Sequence, residues 1–211
     1  MPVNEKQTQG EILYQRQIYE KGGLSRFYWD YKDGIILRNI TPFDKFIVDI
    51  GCGEGILLEK ISKLAPQSKV TGIDFMSENI SICNKRNLPA EQGDLYNLNL
   101  PSGSVDMVFL IEVIEHLIDP EKALNEIIRV LKPGGKLVIL FPHDSVFAFA
   151  RFITFKFKEL KYDPGHVKQW THGEINQTLK NLGMEPVKNL SIPFVFWGIS
   201  LHGMSVSIKK A

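Results

Sequence analysis

Short apolar runs alternate with stretches of helical periodicity along this chain of 211 residues. The first run, Phe46–Ile50, leads directly into a glycine-rich turn. Further runs cover 70–73, 105–111 and 136–141, and a weaker one follows Pro89. Strands that are buried on both faces read as near-continuous apolar segments of this length. The alternation therefore predicts an α/β fold in which helices cover a parallel sheet.

Capping residues and prolines mark the boundaries of several predicted helices. Asp119 followed by Pro120 is a typical helix start, and Ser77 is a candidate cap for an earlier helix. Thr171 and Glu174 have the spacing of a capping box, which predicts a helix that ends at Gly183. The helix predicted for 56–65 ends at Pro66, with one apolar face formed by Ile56, Leu57, Ile61 and Leu64. Two final strands are predicted at 186–192 and 204–209.

Aromatic residues are concentrated in two segments outside these runs. Residues 12–40 read as mostly helical with a break at Gly22 and Gly23, and they contain six tyrosine, tryptophan and phenylalanine side chains. These rings either pack on the edge of the core or form a lid over a ligand pocket. In 147–161, five phenylalanines alternate with lysine and arginine. That segment is either an ordinary amphipathic helix or a substrate cap that suits an apolar or anionic acceptor, or a membrane surface.

Composition narrows the class of protein. A chain of this length with 44% hydrophobic residues can bury a full core, and a net charge of +1 argues against a general polyanion binder. The two cysteines, Cys52 and Cys83, suggest reduced thiols. The first residues lack the apolar core of a signal peptide, and no run approaches the roughly 20 apolar residues of a membrane helix. We expect a cytoplasmic protein.

The glycine-rich turn carries the first candidate chemistry. Glycine there permits unusual dihedrals and leaves the backbone accessible to a ligand, and helix-start N–H groups favour an anionic group. Asp74 ends the second strand, where a carboxylate can accept hydrogen bonds from ribose hydroxyls, and Asp94 ends the third. Each acid also has an ordinary explanation, as a helix cap for Asp74 and as an exposed turn residue for Asp94. The glycine spacing here is Gly-x-Gly-x-Gly. It differs from the Gly-x-Gly-x-x-Gly pattern of dinucleotide-binding enzymes, because residue 56 is isoleucine and not glycine.

Five segments in this order resemble the class I S-adenosylmethionine-dependent methyltransferases. They are VDIGCGEG at 48–55, GIDFM at 72–76, GDL at 93–95, VDMVFLIEVIEHL at 105–117 and LKPGGKLVI at 131–139. The resemblance implies a Rossmann-like sheet of seven mostly parallel strands, with helices on both faces and an antiparallel last strand. It also implies S-adenosylmethionine as cofactor. The implied cofactor-binding residues are Asp49, Gly51, Cys52, Gly53, Gly55, Asp74, Phe75, Met76, Asp94, Leu95, Ile111 and Glu112.

Acidic and histidine residues after the fourth strand are candidates for the acceptor side. If a helix begins near Glu112, then Glu112, Glu115 and His116 share one face. The Glu-x-x-Glu-His motif resembles that of ubiquinone-pathway O-methyltransferases and RNA 3′-terminal 2′-O-methyltransferases. In those enzymes the motif and a later histidine, matched here by His166, hold a divalent metal. A metal-free site is the preferred interpretation, with His116, His143 or His166 as catalytic candidates.

These patterns predict one methyltransferase domain over 1–211. Its parts are a helical lid at 1–44, a cofactor-binding core at 45–141, a substrate-cap insertion at 142–170, and the last helix and strands at 171–211. We expect methyl transfer to oxygen or nitrogen of a small molecule. The alternatives are metal-assisted O-methylation of a quinone precursor or of an RNA 2′-hydroxyl, and a non-catalytic cofactor-binding subunit. No stable nucleic-acid partner is expected, whereas peripheral membrane contact is compatible with the sequence. The acceptor and the oligomeric state stay open.

Overall fold

The computed structural model describes residues 15–143, 146, 165–194 and 197–210. The segment 147–161, and with it most of the expected substrate cap, lies outside the described residues. The chain divides into two compact units, Met1–Asp94 and Leu95–Ala211. The division falls after Asp94, inside the part for which the sequence predicts a continuous cofactor-binding core.

The described residues of the first unit, from 15 onward, form three parallel strands and four helices. Strands β1 (Phe46–Ile50), β2 (Lys69–Asp74) and β3 (Ala90–Gln92) pair in the order β3-β2-β1, with Asp49 opposite Gly72. The helices are α1 (Gln15–Lys21), α2 (Gly23–Leu37), α3 (Ile56–Leu64) and α4 (Ser77–Lys85). In the described part of the N-terminal segment, the predicted helical structure and its break at Gly22 are confirmed.

The buried face of α3 differs from the predicted one. Leu58 and Ile61 are fully buried, whereas Leu64 is 56% exposed. Ile61 and Leu58 share one face, whereas Leu64, the last residue of α3, lies about 120° around the helix from Leu58 and points towards solvent. In α4 the inward positions are as predicted, because Ile80 and Cys83 are both buried.

In the second unit, the part of the chain that the structure describes forms four strands and two α-helices. Strands β4 (Val105–Ile111) and β5 (Leu131–Pro142) are parallel. Strand β7 (His202–Lys209) runs antiparallel to both β5 and β6 (Met184–Ile192). Helix α5 (Pro120–Val130) precedes β5, helix α6 (His172–Asn181) precedes β6, and short 3₁₀ turns cover Ile114–His116 and Trp197–Ile199.

The strand order is β3-β2-β1-β4-β5-β7-β6, and β7 is the reversed strand. This arrangement confirms the predicted Rossmann-like sheet of seven mostly parallel strands with an antiparallel last strand. Strands β4 and β5 are almost completely buried from Met107 and Leu137 onward, as their continuous apolar sequences require. Parallel strands place their carboxyl ends at one edge, where the polar candidate residues follow them.

Of the three predicted helix caps, two are confirmed and one is wrong. Asp119 Oδ1 accepts a hydrogen bond from Lys122 N at 3.0 Å, and Thr171 with Glu174 forms the predicted capping box. Ser77 does not cap α4, because its hydroxyl donates to Glu78 and the position before the helix is Met76. Among the described residues, no helix combines the length and the apolar character needed to cross a membrane.

Candidate cofactor loop and acid–histidine cluster

The turn between β1 and α3, residues Gly51 to Gly55, is called the glycine loop here. Its three glycines have φ values of 71°, 53° and 75°, a region that side-chain-bearing residues rarely adopt. Gly51 N donates to Ile73 O at 2.7 Å, and Gly55 N donates to Cys52 O at 3.0 Å. Only a glycine-rich sequence can follow this path, so the predicted reason for the motif agrees with the observed backbone.

Two glycines of the loop have very different surroundings. A Cβ added to Gly53 would meet no atom within 4 Å, whereas a Cβ on Gly55 would lie 2.6 Å from Leu88 Cδ1 and 2.8 Å from Cys83 Sγ. Gly55 is therefore required for packing inside the protein. Gly53 leaves open space beside the backbone, which is the feature expected where a ligand approaches closely.

Asp74 connects the glycine loop to the start of α4. Its Oδ2 accepts a hydrogen bond from Gly53 N at 2.8 Å, and its Oδ1 accepts from Met76 N at 2.9 Å and from Asn79 Nδ2 at 3.1 Å. Asp74, and not Ser77, thus satisfies backbone donors ahead of α4. A carboxylate has about four lone-pair sites, so these three bonds leave capacity for a ribose hydroxyl.

Asp49 is a buried carboxylate within β1, 2% exposed. Its Oδ2 has no hydrogen-bond partner among the described residues. Burial raises the pKa of Asp49 well above its usual value, and the negative charges of Asp33 and Asp74 raise it further. Burying a carboxylate with an unmatched oxygen is costly, which points to a donor supplied by a ligand.

Two buried thiols, Cys52 of the glycine loop and Cys83 of α4, approach the same backbone oxygen. Cys83 Sγ lies 3.5 Å from Gly53 O, and Cys52 Sγ lies 3.9 Å from the same oxygen. The hydrogen bond with the Cys83 thiol and burial raise the pKa of Cys52, so Cys52 is a packing residue rather than a thiolate. Its Sγ would lie 2.8 Å from a Cβ added to Gly72, so the side chain packs against β2.

The other predicted cofactor residues lie at or beyond strand ends in their own units. Phe75 and Asp94 are exposed, and Met76 is half-buried. In the second unit, Leu95 and Ile111 are half-buried, and Ile111 is the last residue of β4. An exposed phenylalanine next to Asp74 is compatible with ring stacking, but the contacts of these residues with a cofactor stay a prediction.

Glu112 does not begin a helix. It has a left-handed φ of 56°, which is rare for glutamate, and its N–H donates to Leu140 O at 2.9 Å. Its Oε1 lies 2.9 Å from Nε2 of His202, a buried residue at the start of β7. The expectation that Glu112 shares a helical face with Glu115 and His116 is therefore wrong, because the chain forms a bend and a 3₁₀ turn there.

Three of the four candidate metal ligands nevertheless come together. One ligand atom each of Glu115, His116 and His166 lies within 4.8 Å of the others, and these three residues are called the acid–histidine cluster here. Glu115 is buried, while both histidines are half-buried and their rings meet edge to face at 4.8 Å. Glu112 is not a member of this cluster.

Hydrogen bonds hold the two halves of the cluster in place. Glu115 O accepts from Val167 N at 2.8 Å, and Trp170 Nε1 donates to Ile114 O at 3.3 Å. His116 Nδ1 lies 3.0 Å from Gly165 O. A carbonyl can only accept, so Nδ1 carries the hydrogen and the neutral ring presents the lone pair of Nε2. That lone pair can bind a metal or take a proton.

His143 has the opposite tautomer to His116. Val146 N donates to His143 Nδ1 at 3.3 Å, so the neutral His143 ring carries its hydrogen on Nε2. His143 is thereby less suited than His116 to act as a base at Nε2.

Nothing in the local sequence marks His202 as a residue of this region. The one usable signal is that the first residue of a reversed strand lies at the edge where parallel strands end.

Comparison with known proteins identifies a domain family over part of the chain and relatives over most of it. The family model described as a methyltransferase domain matches residues 48–139. The chain is 42% identical over 98 residues to an uncharacterised 37.1 kDa protein in transposon TN4556 of Streptomyces fradiae, covering 44% of this chain and 28% of that protein. It is 29% identical over 184 residues to a ubiquinone biosynthesis O-methyltransferase of Cereibacter sphaeroides, covering 80% of this chain and 72% of that enzyme.

A solved structure of the same fold covers nearly the whole chain. It is a chain from the complex between the Haloferax volcanii Trm112 methyltransferase activator and a methyltransferase, with a TM-score of 0.71 and 18% identity. The match covers 94% of this chain and 96% of that one, and at this identity it shows the fold alone. The family match shows that residues 48–139 form a methyltransferase domain. In sequence the chain is similar to S-adenosylmethionine-dependent methyltransferases, and in fold it is similar to their solved structures.

Proposed function

We propose that the chain transfers a methyl group from S-adenosylmethionine to a hydroxyl oxygen of a small molecule, with a divalent cation at the acid–histidine cluster. The observation that carries the proposal is the approach of ligand atoms of Glu115, His116 and His166 to within 4.8 Å. Similarity to a ubiquinone biosynthesis O-methyltransferase over most of both chains supports an oxygen acceptor.

The first unit supplies groups that suit the cofactor. The open side of Gly53 admits a ligand, the unmatched oxygen of Asp49 suits a donor, and Asp74 retains acceptor capacity. Phe75 and Asp94, also in the first unit, belong to the set that the family resemblance implies. S-adenosylmethionine supplies the methyl group on a sulfonium, and the protein's own task is to bind, align and desolvate.

The donor set of the cluster fits a cation that accepts nitrogen ligands. One carboxylate and two imidazoles suit zinc or manganese better than magnesium, which prefers oxygen. The hydrogen bond from His116 Nδ1 to Gly165 O is the kind of supporting contact that orients a metal-bound imidazole. A bound cation would lower the pKa of an acceptor hydroxyl. Catechol rings and vicinal diols are the natural acceptors because their two oxygens can chelate.

A metal-free site is the second candidate. It is favoured by the same tautomer of His116, since the Nε2 lone pair can accept the proton that an acceptor hydroxyl loses. In that case Glu115 and His166 orient the acceptor. The two candidates differ in one measurable property, the sensitivity of turnover to a chelator.

Release of S-adenosylhomocysteine is the primary assay, with catechol, phenethylamine and a short RNA as acceptor probes. We expect turnover with catechol that EDTA abolishes and zinc or manganese restores. Turnover that resists EDTA selects the metal-free candidate, and turnover with phenethylamine or RNA alone rejects an oxygen-bearing small molecule. Binding of S-adenosylhomocysteine without any turnover indicates a non-catalytic subunit. If calorimetry detects no binding of S-adenosylhomocysteine, the proposed function is wrong.

Cytoplasmic location and peripheral membrane contact stay predictions.

A further inference from the structure

Arg16 in helix α1 contacts the glycine loop although 38 residues separate it from Glu54. Its Nε and Nη2 donate to the main-chain oxygen of Glu54 at 3.1 and 3.0 Å. In return, Glu54 Oε2 accepts a hydrogen bond from Arg16 N at 2.9 Å. Both residues are buried, with exposed fractions of 6% and 4%. The N-terminal helix is therefore joined to the loop by three hydrogen bonds, two of which form a guanidinium fork on one carbonyl.

The two hydrogen bonds from the Arg16 guanidinium fix the backbone of the glycine loop at Glu54. Glu54 lies between Gly53 and Gly55, the two residues whose backbones have the widest choice of dihedrals. The neighbouring N–H groups are held within the unit, that of Gly53 by Asp74 and that of Gly55 by Cys52 O. The Glu54 carbonyl is held by Arg16. Because a peptide unit is planar, fixing this oxygen also fixes the plane between Glu54 and Gly55.

The rest of the Arg16 environment explains how a buried guanidinium is tolerated. Arg16 Nη1 donates to Glu59 Oε2 at 3.1 Å and lies 3.8 Å from Glu20 Oε1. Arg86 contacts the same two acids, at 3.6 and 3.3 Å, so two arginines share two glutamates. The side chains of Glu20 and Glu59 are 53% and 26% exposed, and ion pairs with such exposed partners add little net stability. A structural requirement for stability alone therefore gives a weak account of the arrangement.

We propose that Arg16 is a positioning residue for the cofactor loop, and that α1 acts as a strap that sets the loop in its binding geometry. This inference rests on the proposed binding of S-adenosylmethionine at the glycine loop. If the strap orders the loop for the cofactor, then the cofactor must in turn stabilise the strap by the same free energy. Arg16 is then required for affinity, whereas an arginine that only joins the surrounding acids is not.

Arg86 provides a matched control within the same network. Its ion pairs go to Glu20 and Glu59, neither of which belongs to the glycine loop. Arg86→Ala thus removes a guanidinium from the same acids but leaves the Glu54 carbonyl contact intact. Arg16→Lys keeps the positive charge but cannot form the planar two-bond fork.

The experiment measures the affinity for S-adenosylhomocysteine by calorimetry in the full chain, together with thermal stability of the free protein. We expect Arg16→Ala and Arg16→Lys to weaken binding by about tenfold or more, within the range typical of coupling between two sites. Arg86→Ala should stay within about twofold of wild type, because exposed ion pairs contribute little. Hydrogen exchange of residues 15–21 should slow on addition of S-adenosylhomocysteine in wild type and not in Arg16→Ala.

Two results would overturn the inference while leaving the proposed function in place. The first is unchanged affinity in Arg16→Ala or Arg16→Lys, given that wild type binds. The second is equal weakening in Arg16→Ala and Arg86→Ala, which would assign the effect to general destabilisation. Lack of binding by wild type would reject the proposed function itself. If Arg16→Ala does not fold, the comparison of Arg16→Lys with Arg86→Ala decides.

Discussion

His202 Nε2 lies 2.9 Å from Glu112 Oε1, joining the first residue of β7 to the residue that follows β4. His202 is 3% exposed, and its backbone pairs with both Pro142 and Ile192. Glu112 keeps a left-handed backbone that glutamate rarely adopts. Strained backbone of this kind persists where the surroundings determine it, and it is concentrated at functional sites. The pair therefore holds a carboxylate in one orientation at the carboxyl end of the strand.

The first prediction concerns the coupling between these two side chains. We expect a double-mutant cycle of Glu112→Gln and His202→Gln to give a coupling free energy of about 1–2 kcal/mol, because the residues share a hydrogen bond. Urea unfolding of the four proteins measures it. As a control, a cycle of Glu112→Gln with His172→Gln should give a value near zero, since His172 contacts Phe141 and Ser191 instead. Additive effects of Glu112→Gln and His202→Gln would contradict the pairing.

The second prediction separates folding from ligand binding in the glycine loop. Gly55→Ala should destabilise the protein by about 2–4 kcal/mol, because its Cβ would overlap Leu88 and Cys83 and the positive φ adds strain. Gly53→Ala should cost only about 1 kcal/mol of backbone strain, since its Cβ meets open space. We expect Gly53→Ala to lose affinity for S-adenosylhomocysteine at near-normal stability. Unfolding curves and calorimetry test both, and full affinity in Gly53→Ala would place the ligand elsewhere.

The third prediction concerns the acid–histidine cluster. Zinc should bind wild type in a calorimetric titration, and His166→Ala should weaken binding by at least about tenfold because one of three ligands is lost. Affinity for S-adenosylhomocysteine should not change in this variant. His172→Ala is the matched control, a histidine of the same unit that is not in the cluster. Equal zinc affinity in His166→Ala and wild type would remove the metal from the proposed function.

The fourth prediction is a pH dependence caused by Asp49. Because burial raises its pKa in the folded state, the stability that the protonated carboxyl contributes is complete below the unfolded pKa and is lost as pH rises through the folded pKa. Asp49→Asn removes this loss. We expect the variant to be more stable than wild type by about 1–3 kcal/mol near neutral pH. The difference should shrink as pH falls towards the usual pKa of aspartate, about 4. Urea unfolding of ligand-free protein over this range measures it, and a pH-independent difference would argue against the raised pKa.

Local sequence determined much of what the structure shows in each unit. The bounds of β4, the capping box of α6 and the Asp119 cap of α5 follow from patterns that act within a few residues. Such features depend on hydrophobic periodicity and on side-chain bonds to nearby backbone, so a single segment contains the information. The glycine loop belongs to the same group, because its positive φ values exclude almost every other residue.

Tertiary structure decided which distant polar groups meet. His166 meets His116 and Glu115, which lie 50 and 51 residues earlier in the chain. Glu112 meets His202 instead of its neighbours in sequence, and Arg16 holds the carbonyl of Glu54. The helix expected after Glu112 is absent because the chain keeps a left-handed bend there, with the Glu112 N–H bound to Leu140 O of β5. The cap expected from Ser77 is absent because the residue before α4 is Met76 and the Ser77 hydroxyl donates to Glu78. Strand pairing and burial choose these partners, and no local pattern of residues specifies them.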